Sequence, residues 1–449
     1  MTVATATPQL LTENQALSLI ESVIKQSAAD SVFVSINTSE SALSRFSENQ
    51  ISQNISRNRF QITVTSYFGK RSGSASTTEL DPDAIAETVG RSQTLARFAP
   101  EDPEWVPLLE PQTYPNRTPA FDPATASLSP LARGELVSLV CSLSRNAGVN
   151  GSGTLSTSTS AMAVGNSNGL RAYNCGTEAD FSYTAKIDSG SSWTERTAWG
   201  QSQLPLEEMT QKVIEQAKMS RNPKEIEPET YPVVLDAAAA QSLLPYLIWS
   251  LDARAADEGR SFMSRTDDHG QSIGNRVGES MFSPLVQVQR NAAHPLLQLE
   301  TFFGDGMANH NLELIKDGIP QTLSYSRYWA QQQGKEATGR MYPIVMRGSE
   351  QSLTDLIEGM ERGILISRAW YVNFVNPRTL EVTGMTRDGT FWIEDGKIAY
   401  PIKNFRFNQN LEEMLKNVEA VSEVQRFGNT VVPGMRVSAF NFTSVSESV

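Results

Sequence analysis

Eight prolines fall between Pro100 and Pro130, and no regular helix or central strand can cross such a stretch. Proline lacks a backbone N–H and has a fixed φ, so this segment is an extended, stiff connection between bodies that fold on either side of it. At ~150 residues per domain, a chain of 449 residues predicts about three bodies. The expected division is residues 1–110, 111–228 and 229–449, with the first boundary inside the proline stretch.

Before the prolines, Thr12 and Gln15 form a capping box, and Leu17, Ile20, Val23 and Ile24 supply one apolar helical face. Val32, Val34 and Ile36 alternate as in a strand, as do Phe60, Ile62, Val64, Ser66 and Phe68, with a weaker strand marked by Ile51 and Ile55 between them. Asp81-Pro82 is an N-cap and first-turn pair opening a helix through Ile85, Val89 and Leu95. The spacing predicts a curved antiparallel sheet on helices.

After the prolines, a helix over Leu131–Asn146 precedes a Ser-, Thr- and Gly-rich segment from Gly151 to Gly200, read as a second antiparallel sheet. A helix over Leu206–Met219 and a short strand over Tyr231–Leu235 follow. The last body opens with the helical segment Asp236–Arg254 and carries Asp-Gly turns at Asp317-Gly318, Asp388-Gly389 and Asp395-Gly396, each read as a hairpin. The fold class expected is α+β, with antiparallel sheets and flanking helices in three parts.

Charge and cysteine usage exclude several functions. With 38 basic against 50 acidic residues, net −12, the chain lacks the clustered cations that phosphate binding needs, so no direct nucleic-acid partner is expected. Neither an apolar run of membrane length nor a basic-then-apolar leader over Met1–Leu10 is present, and with only Cys141 and Cys175 there is no disulfide framework. A cytoplasmic protein with no membrane partner is the expectation.

Motifs that could carry chemistry each meet a simpler reading. Gly165-Asn166-Ser167-Asn168-Gly169 fits a nucleophile elbow, but the returning strand Leu170–Gly176 makes it a hairpin turn, so Ser167 is a minor nucleophile candidate. His269, His294 and His310 lie 25 and 16 residues apart and cannot pair at one-turn zinc spacing. Asp267-Asp268-His269-Gly270 reads as a solvated turn, and His310 follows a glycine-rich loop that could face a cleft. The basic and aromatic stretch Arg57–Arg71 reads as a solvated strand face. Arg387 and Asp388, taken to stand at a hairpin tip, are guesses for cleft contacts.

Three groups of residues carry a resemblance. Arg45-Phe46-Ser47-Glu48-Asn49-Gln50-Ile51 with Gly69–Ser76, the turn Asn166-Ser167-Asn168-Gly169, and Gly259-Arg260-Ser261-Phe262 with Leu314–Gly318 and Thr383–Gly396 together resemble the TldD/PmbA family over roughly residues 12–442. That resemblance implies two kinds of subunit. TldD-type members are zinc metallopeptidases with a His-Glu…His helix and a distant Cys ligand; TldE/PmbA-type members lack these and associate with a TldD-type partner.

Laid on this sequence, the two His and the Glu fall near Pro245, Ser250 and Tyr246, and no cysteine follows Cys175. Neutral Ser and Tyr are poor zinc ligands, and no carboxylate stands where a general base is needed. The chain thus resembles the second type: catalytic residues none, cofactor none, metal none. Pro245 reads either as a packed helical turn among Leu243, Leu244, Leu247, Ile248 and Leu251, or as part of a reshaped pocket in which Tyr246 and Trp249 meet a peptide or partner.

The function expected is a non-catalytic or regulatory subunit pairing with a TldD-like zinc metallopeptidase to bind and process unfolded proteins or peptide precursors. The partner is a TldD-like paralogue in a heterodimer, or a second copy in a homodimer. The alternatives are a self-assembled peptide-binding or DNA gyrase modulator protein without peptidase activity, and a metal-independent hydrolase using Ser167 or His310.

Overall fold

The computed structural model describes residues 10–117, 120–297 and 300–446; the expectation read on the first nine residues lies outside them. Helix α1 (Glu13–Gln26) starts where Thr12 and Gln15 close the expected capping box, and it buries Ala16, Ile20 and Val23. Strands β1 (Ser31–Ser47) and β2 (Gln50–Phe68) form one long hairpin. Its two-residue turn places Glu48 and Asn49 at φ 52° and 60°, the left-handed geometry that matches strand twist. Ile51 and Ile55 therefore belong to β2 itself, not to a separate strand, because the polar residues around them pair with β1 without interruption except at one bulge.

Strand β3 (Arg71–Thr77) completes the first half, and α2 (Pro82–Phe98) follows with Asp81 as its N-cap. Beyond the proline stretch come a short α3 (Pro123–Ala126), α4 (Pro130–Asn146), β4 (Asn150–Asn166), β5 (Arg171–Ile187), β6 (Gly190–Ala198) and α5 (Leu206–Met219). The expectation of a second, separate sheet is corrected here: β1 pairs with β4 from Phe33↔Asn166 to Phe46↔Gly153, giving one six-stranded sheet in the order β3-β2-β1-β4-β5-β6. Alternation tells which residues share a face but not which strand lies alongside. Asn49 fixes the join, accepting a hydrogen bond from the Gly151 amide at 2.7 Å and donating to the Val149 carbonyl at 2.8 Å.

All four long helices cover one face of this sheet. Helices α1 and α2 pack on Val34, Ile36, Ile62 and Ala163, and α4 and α5 on Phe46, Leu155, Phe181 and Tyr183. The opposite face keeps the Ser, Thr, Asn and Gln of the alternating positions. It looks toward the remainder of the chain.

That remainder is built on a second, larger antiparallel-rich sheet in which β7 (Thr230–Leu235) lies between strands Thr430–Val445 and Arg362–Ile366. Helix α6 (Ala237–Trp249) leaves β7 directly, with Asp236 at the N-cap position making no side-chain cap bond and donating its amide to the Ile366 carbonyl at 3.0 Å. Of the three Asp-Gly turns, Asp317-Gly318 and Asp395-Gly396 close hairpins, with all four residues at positive φ. Asp388-Gly389 does not. It links Glu381–Thr386, paired with Ala369–Asn376 and Phe405–Asn410, to Thr390–Glu394, paired with Arg362–Ile366 and Lys397–Pro401. The architecture is α+β, as the sequence predicts.

Candidate functional site

Helix α6 has two faces of different character. Leu243, Leu244, Leu247 and Ile248, with Leu251 just beyond, are buried in the core of the third part. Gln241, Ser242, Pro245, Tyr246 and Trp249 recur at spacings of one and three residues and line a recess of about 500 Å³. Pro245 removes an N–H that would bond the Gln241 carbonyl, a cost of ~3 kcal/mol in a helix interior. Burying the four leucines and isoleucines contributes roughly 1.5–3 kcal/mol each, so the packed face carries the helix through the proline. The packing reading of Pro245 describes the helix, which is buried through its leucines, and the proline itself stands on the recess side.

The three positions that the zinc helix would occupy do not fit a metal. Ser250 Oγ donates to the Tyr246 carbonyl at 2.8 Å, and the Ser250 carbonyl accepts from Ser261 Oγ at 2.6 Å. The Tyr246 hydroxyl donates to the Val372 carbonyl on strand Ala369–Asn376, and its ring meets Phe374 edge-on at 4.8 Å and Trp249 at 5.3 Å. A proline ring offers no donor atom. Among the described residues no group of three or more His, Cys, Asp and Glu has the arrangement of a metal site.

The recess beside α6 adjoins a second of about 540 Å³, since Tyr342 and Asn429 line both. The floor of the second is the open face of the six-stranded sheet. Cross-strand registers place Gln61, Asn37, Met162 and Asn174 in one row and Arg59, Ser39, Ser160 and Gly176 in the next. Phe302, Phe303 and Glu300 form a wall from the third part. The result is a trough between the sheet and the body that carries α6, polar over the sheet face and aromatic beside the helix.

Two clamps hold the walls of this trough together. In the first, buried Arg426 donates to the Gly428 carbonyl at 2.8 Å, the Leu296 carbonyl at 3.0 Å and the Glu178 carboxylate of β5. Thr197 on β6 accepts from the Gly428 amide at 2.9 Å and donates to Asp180 at 2.7 Å. In the second, Asp388 accepts from Arg368 at 2.7 Å and from Ser191 of β6 at 3.0 Å, while the Arg368 guanidinium lies over Trp193 at 3.9 Å and Trp370 at 4.2 Å. Asp388 is therefore a buried bridge between the two bodies and not a hairpin tip; its local Asp-Gly pattern misled because the strands on either side pair elsewhere.

Burial raises the carboxyl pKa of Glu178, Asp180, Glu195 and Glu300. The Asp180 charge adds to the shift at Glu178 and Glu195, and Arg426 and Arg368 respectively offset only part of it. Sequence reasoning missed this set. Glu178, Asp180 and Glu195 are near one another in sequence, but Glu300 and the cations that face them, Arg426 and Arg368, come from the third part of the chain, and no local pattern marks the set.

The other candidates fall elsewhere. Ser167 sits in the β4–β5 hairpin with its hydroxyl accepting from the Val32 amide at 3.1 Å, as the hairpin reading requires. His269 is exposed in a turn whose Asp267 carboxylate accepts from the His269 and Gln271 amides, both at 2.9 Å. His310 is exposed and does not line the trough, although Phe303 and Gly304, earlier in the same loop, do. His294 lines a different recess near Val345 and Arg347, and burial lowers its pKa. Of the stretch Arg57–Arg71, Arg59 and Gln61 reach the trough. Arg387 approaches Asp388 at 3.7 Å and lies over Trp370.

Known proteins share this fold. Three domain models of one family, PmbA/TldA metallopeptidase domain 1, central domain and C-terminal domain, match residues 32–96, 125–221 and 228–444. The Metalloprotease PmbA of Escherichia coli O157:H7 is 23% identical over 403 residues, 84% of this chain and 85% of that protein. The crystal structure of TldE from Thermococcus kodakarensis superposes with a TM-score of 0.85 at 20% identity, over 95% of this chain and 99% of that one. A candidate modulator of DNA gyrase from Bacteroides thetaiotaomicron superposes with a TM-score of 0.83 at 18% identity, over 97% and 100%.

Proposed function

The chain belongs to the PmbA/TldD metallopeptidase family, and we propose that within it this chain is a non-catalytic subunit that shapes a peptide-binding trough for a TldD-like zinc metallopeptidase partner. One observation carries the reading. At the positions where the family resemblance puts the zinc helix, Tyr246 and Ser250 spend their hydroxyls on backbone carbonyls and Pro245 has no donor, while the trough in front of that helix is large, aromatic beside α6 and polar over the sheet face. A chain with a formed cleft and no metal-binding chemistry on its helix is suited to hold a substrate that another subunit cuts.

An extended peptide in the trough would lie across a sheet face. Side-chain amides of Asn37, Gln61 and Asn174 would then read its main chain without demanding a sequence, which suits unfolded proteins and peptide precursors. This differs from strand addition at a sheet edge, where backbone meets backbone.

Co-expression with a paralogue carrying the His-Glu…His helix tests the proposal. The expected result is a stable complex that cleaves an unfolded peptide, with cleavage abolished by Ala at the paralogue's zinc ligands and retained with Ser250→Ala in this chain. A chain that forms only homodimers and gives no cleavage with the paralogue would refute the pairing and favour the self-assembled binding protein.

A further inference from the structure

Glu195 on β6 lines the recess beside α6 together with the aromatic side chains of Tyr246, Trp249, Tyr342 and Phe427. Its backbone pairs with β5, and among the described residues its carboxylate makes no hydrogen bond or ion pair, although it is only partly exposed. The cations around it are already held: Arg426 by Glu178, and Arg368 by Asp388 and the two tryptophan rings. Asp180, on the same face of the sheet, has Thr197 as its hydrogen-bond donor and shares the Arg426 charge with Glu178. The recess wall thus carries the Glu195 carboxylate, whose charge Arg368 offsets only in part.

The opposite wall suits a cation as well. Trp249 is 58% exposed, so much of its ring is open to a ligand. Tyr246 is fixed by its hydroxyl bond to Val372 and its edge contacts with Phe374 and Trp249. Aromatic faces attract ammonium and guanidinium groups, and do so more strongly where water is partly excluded. A partly buried carboxylate without a partner is unfavourable unless a ligand completes it.

We propose that this recess receives a positively charged group of the bound peptide, a Lys or Arg side chain or a free α-ammonium, with Glu195 as its counter-ion and Tyr246 and Trp249 as its aromatic wall. The assignment rests on the trough being a peptide site and adds a charge preference to it. Specificity would then come from one end of an otherwise sequence-tolerant trough, next to the helix where the family resemblance puts the metal.

The test uses the full chain, in its assembled form, and three eight-residue alanine-based peptides. One carries Lys with both termini blocked, the second carries neutral norleucine in its place with both termini blocked, and the third carries norleucine with a free N-terminus. Calorimetry is expected to show the Lys peptide or the free-terminus peptide binding about tenfold more tightly than the blocked norleucine peptide. Which of the two gains affinity identifies the source of the cation.

Glu195→Gln should abolish the gain and leave the blocked norleucine peptide unchanged, and Trp249→Ala should reduce the gain severalfold. Equal affinity for all three peptides, or a Glu195→Gln loss shared equally by all, would overturn the cation recess while leaving the peptide trough standing. Binding of none of them would overturn the trough and the recess with it.

Discussion

Arg426→Met is the sharpest perturbation of the trough. The guanidinium is 2% exposed and makes three contacts, to the Gly428 and Leu296 carbonyls and to Glu178. Methionine fills much of the same volume, so the loss is chiefly polar. Removing one member of a fully buried ion pair costs roughly 3–5 kcal/mol, and Glu178, 26% exposed, retains some water, which brings the estimate to about 2–4 kcal/mol.

Unfolding of a large chain is not two-state, so the effect is best read locally. The Gly428 amide, which donates to Thr197, should lose protection in hydrogen exchange by roughly 30–1,000-fold, the rate equivalent of that range. Adding Glu178→Leu should recover much of the loss, because a stranded buried charge costs more than a missing ion pair. Exchange at Gly428 that is unchanged by Arg426→Met, or a double variant worse than the sum of the singles, would refute the clamp.

Other predictions concern individual groups. The raised carboxyl pKa of Glu195 means that the folded state favours its protonated form, so its contribution to stability is present below the ordinary carboxyl range, about pH 4, and is lost as pH rises through the raised value. Glu195→Gln should therefore flatten the melting temperature against pH just above that range, and parallel wild-type and variant curves would count against burial as the cause. Tyr246→Phe should destabilise by about 1 kcal/mol through the lost bond to Val372, measured by denaturant midpoint; no change would show that hydroxyl to be solvated instead. Ser167→Ala should lower stability by ~1 kcal/mol and leave peptide cleavage by the assembled complex unchanged, since its hydroxyl serves the Val32 amide; a cleavage loss would revive the hydrolase reading.

Local chemistry was the part of this fold most legible in the sequence. The Thr12–Gln15 capping box and the Asp81-Pro82 start follow from interactions within one helical turn, and the structure keeps them. Pairing was less legible. The Ser- and Thr-rich strands β4 to β6 looked self-contained, yet β1 lies between β2 and β4, a choice made by Asn49 and by helices that all cover one face.

At the site, the two faces of α6 could be read from the spacing of its leucines against Pro245, Tyr246 and Trp249. Glu195, Asp180 and Arg426 could not. Their importance comes from burial against residues hundreds of positions away, and Asp388 carried a turn signature while serving as an interdomain bridge.

The central claim is that α6 presents a peptide-facing surface and no metal-binding chemistry. Metal content measured on the chain purified alone, after incubation with excess zinc and gel filtration, tests it most directly. The account predicts substoichiometric zinc and no cleavage of an unfolded peptide. Zinc retained at one ion per chain, with cleavage that a chelator removes and zinc restores, would contradict it.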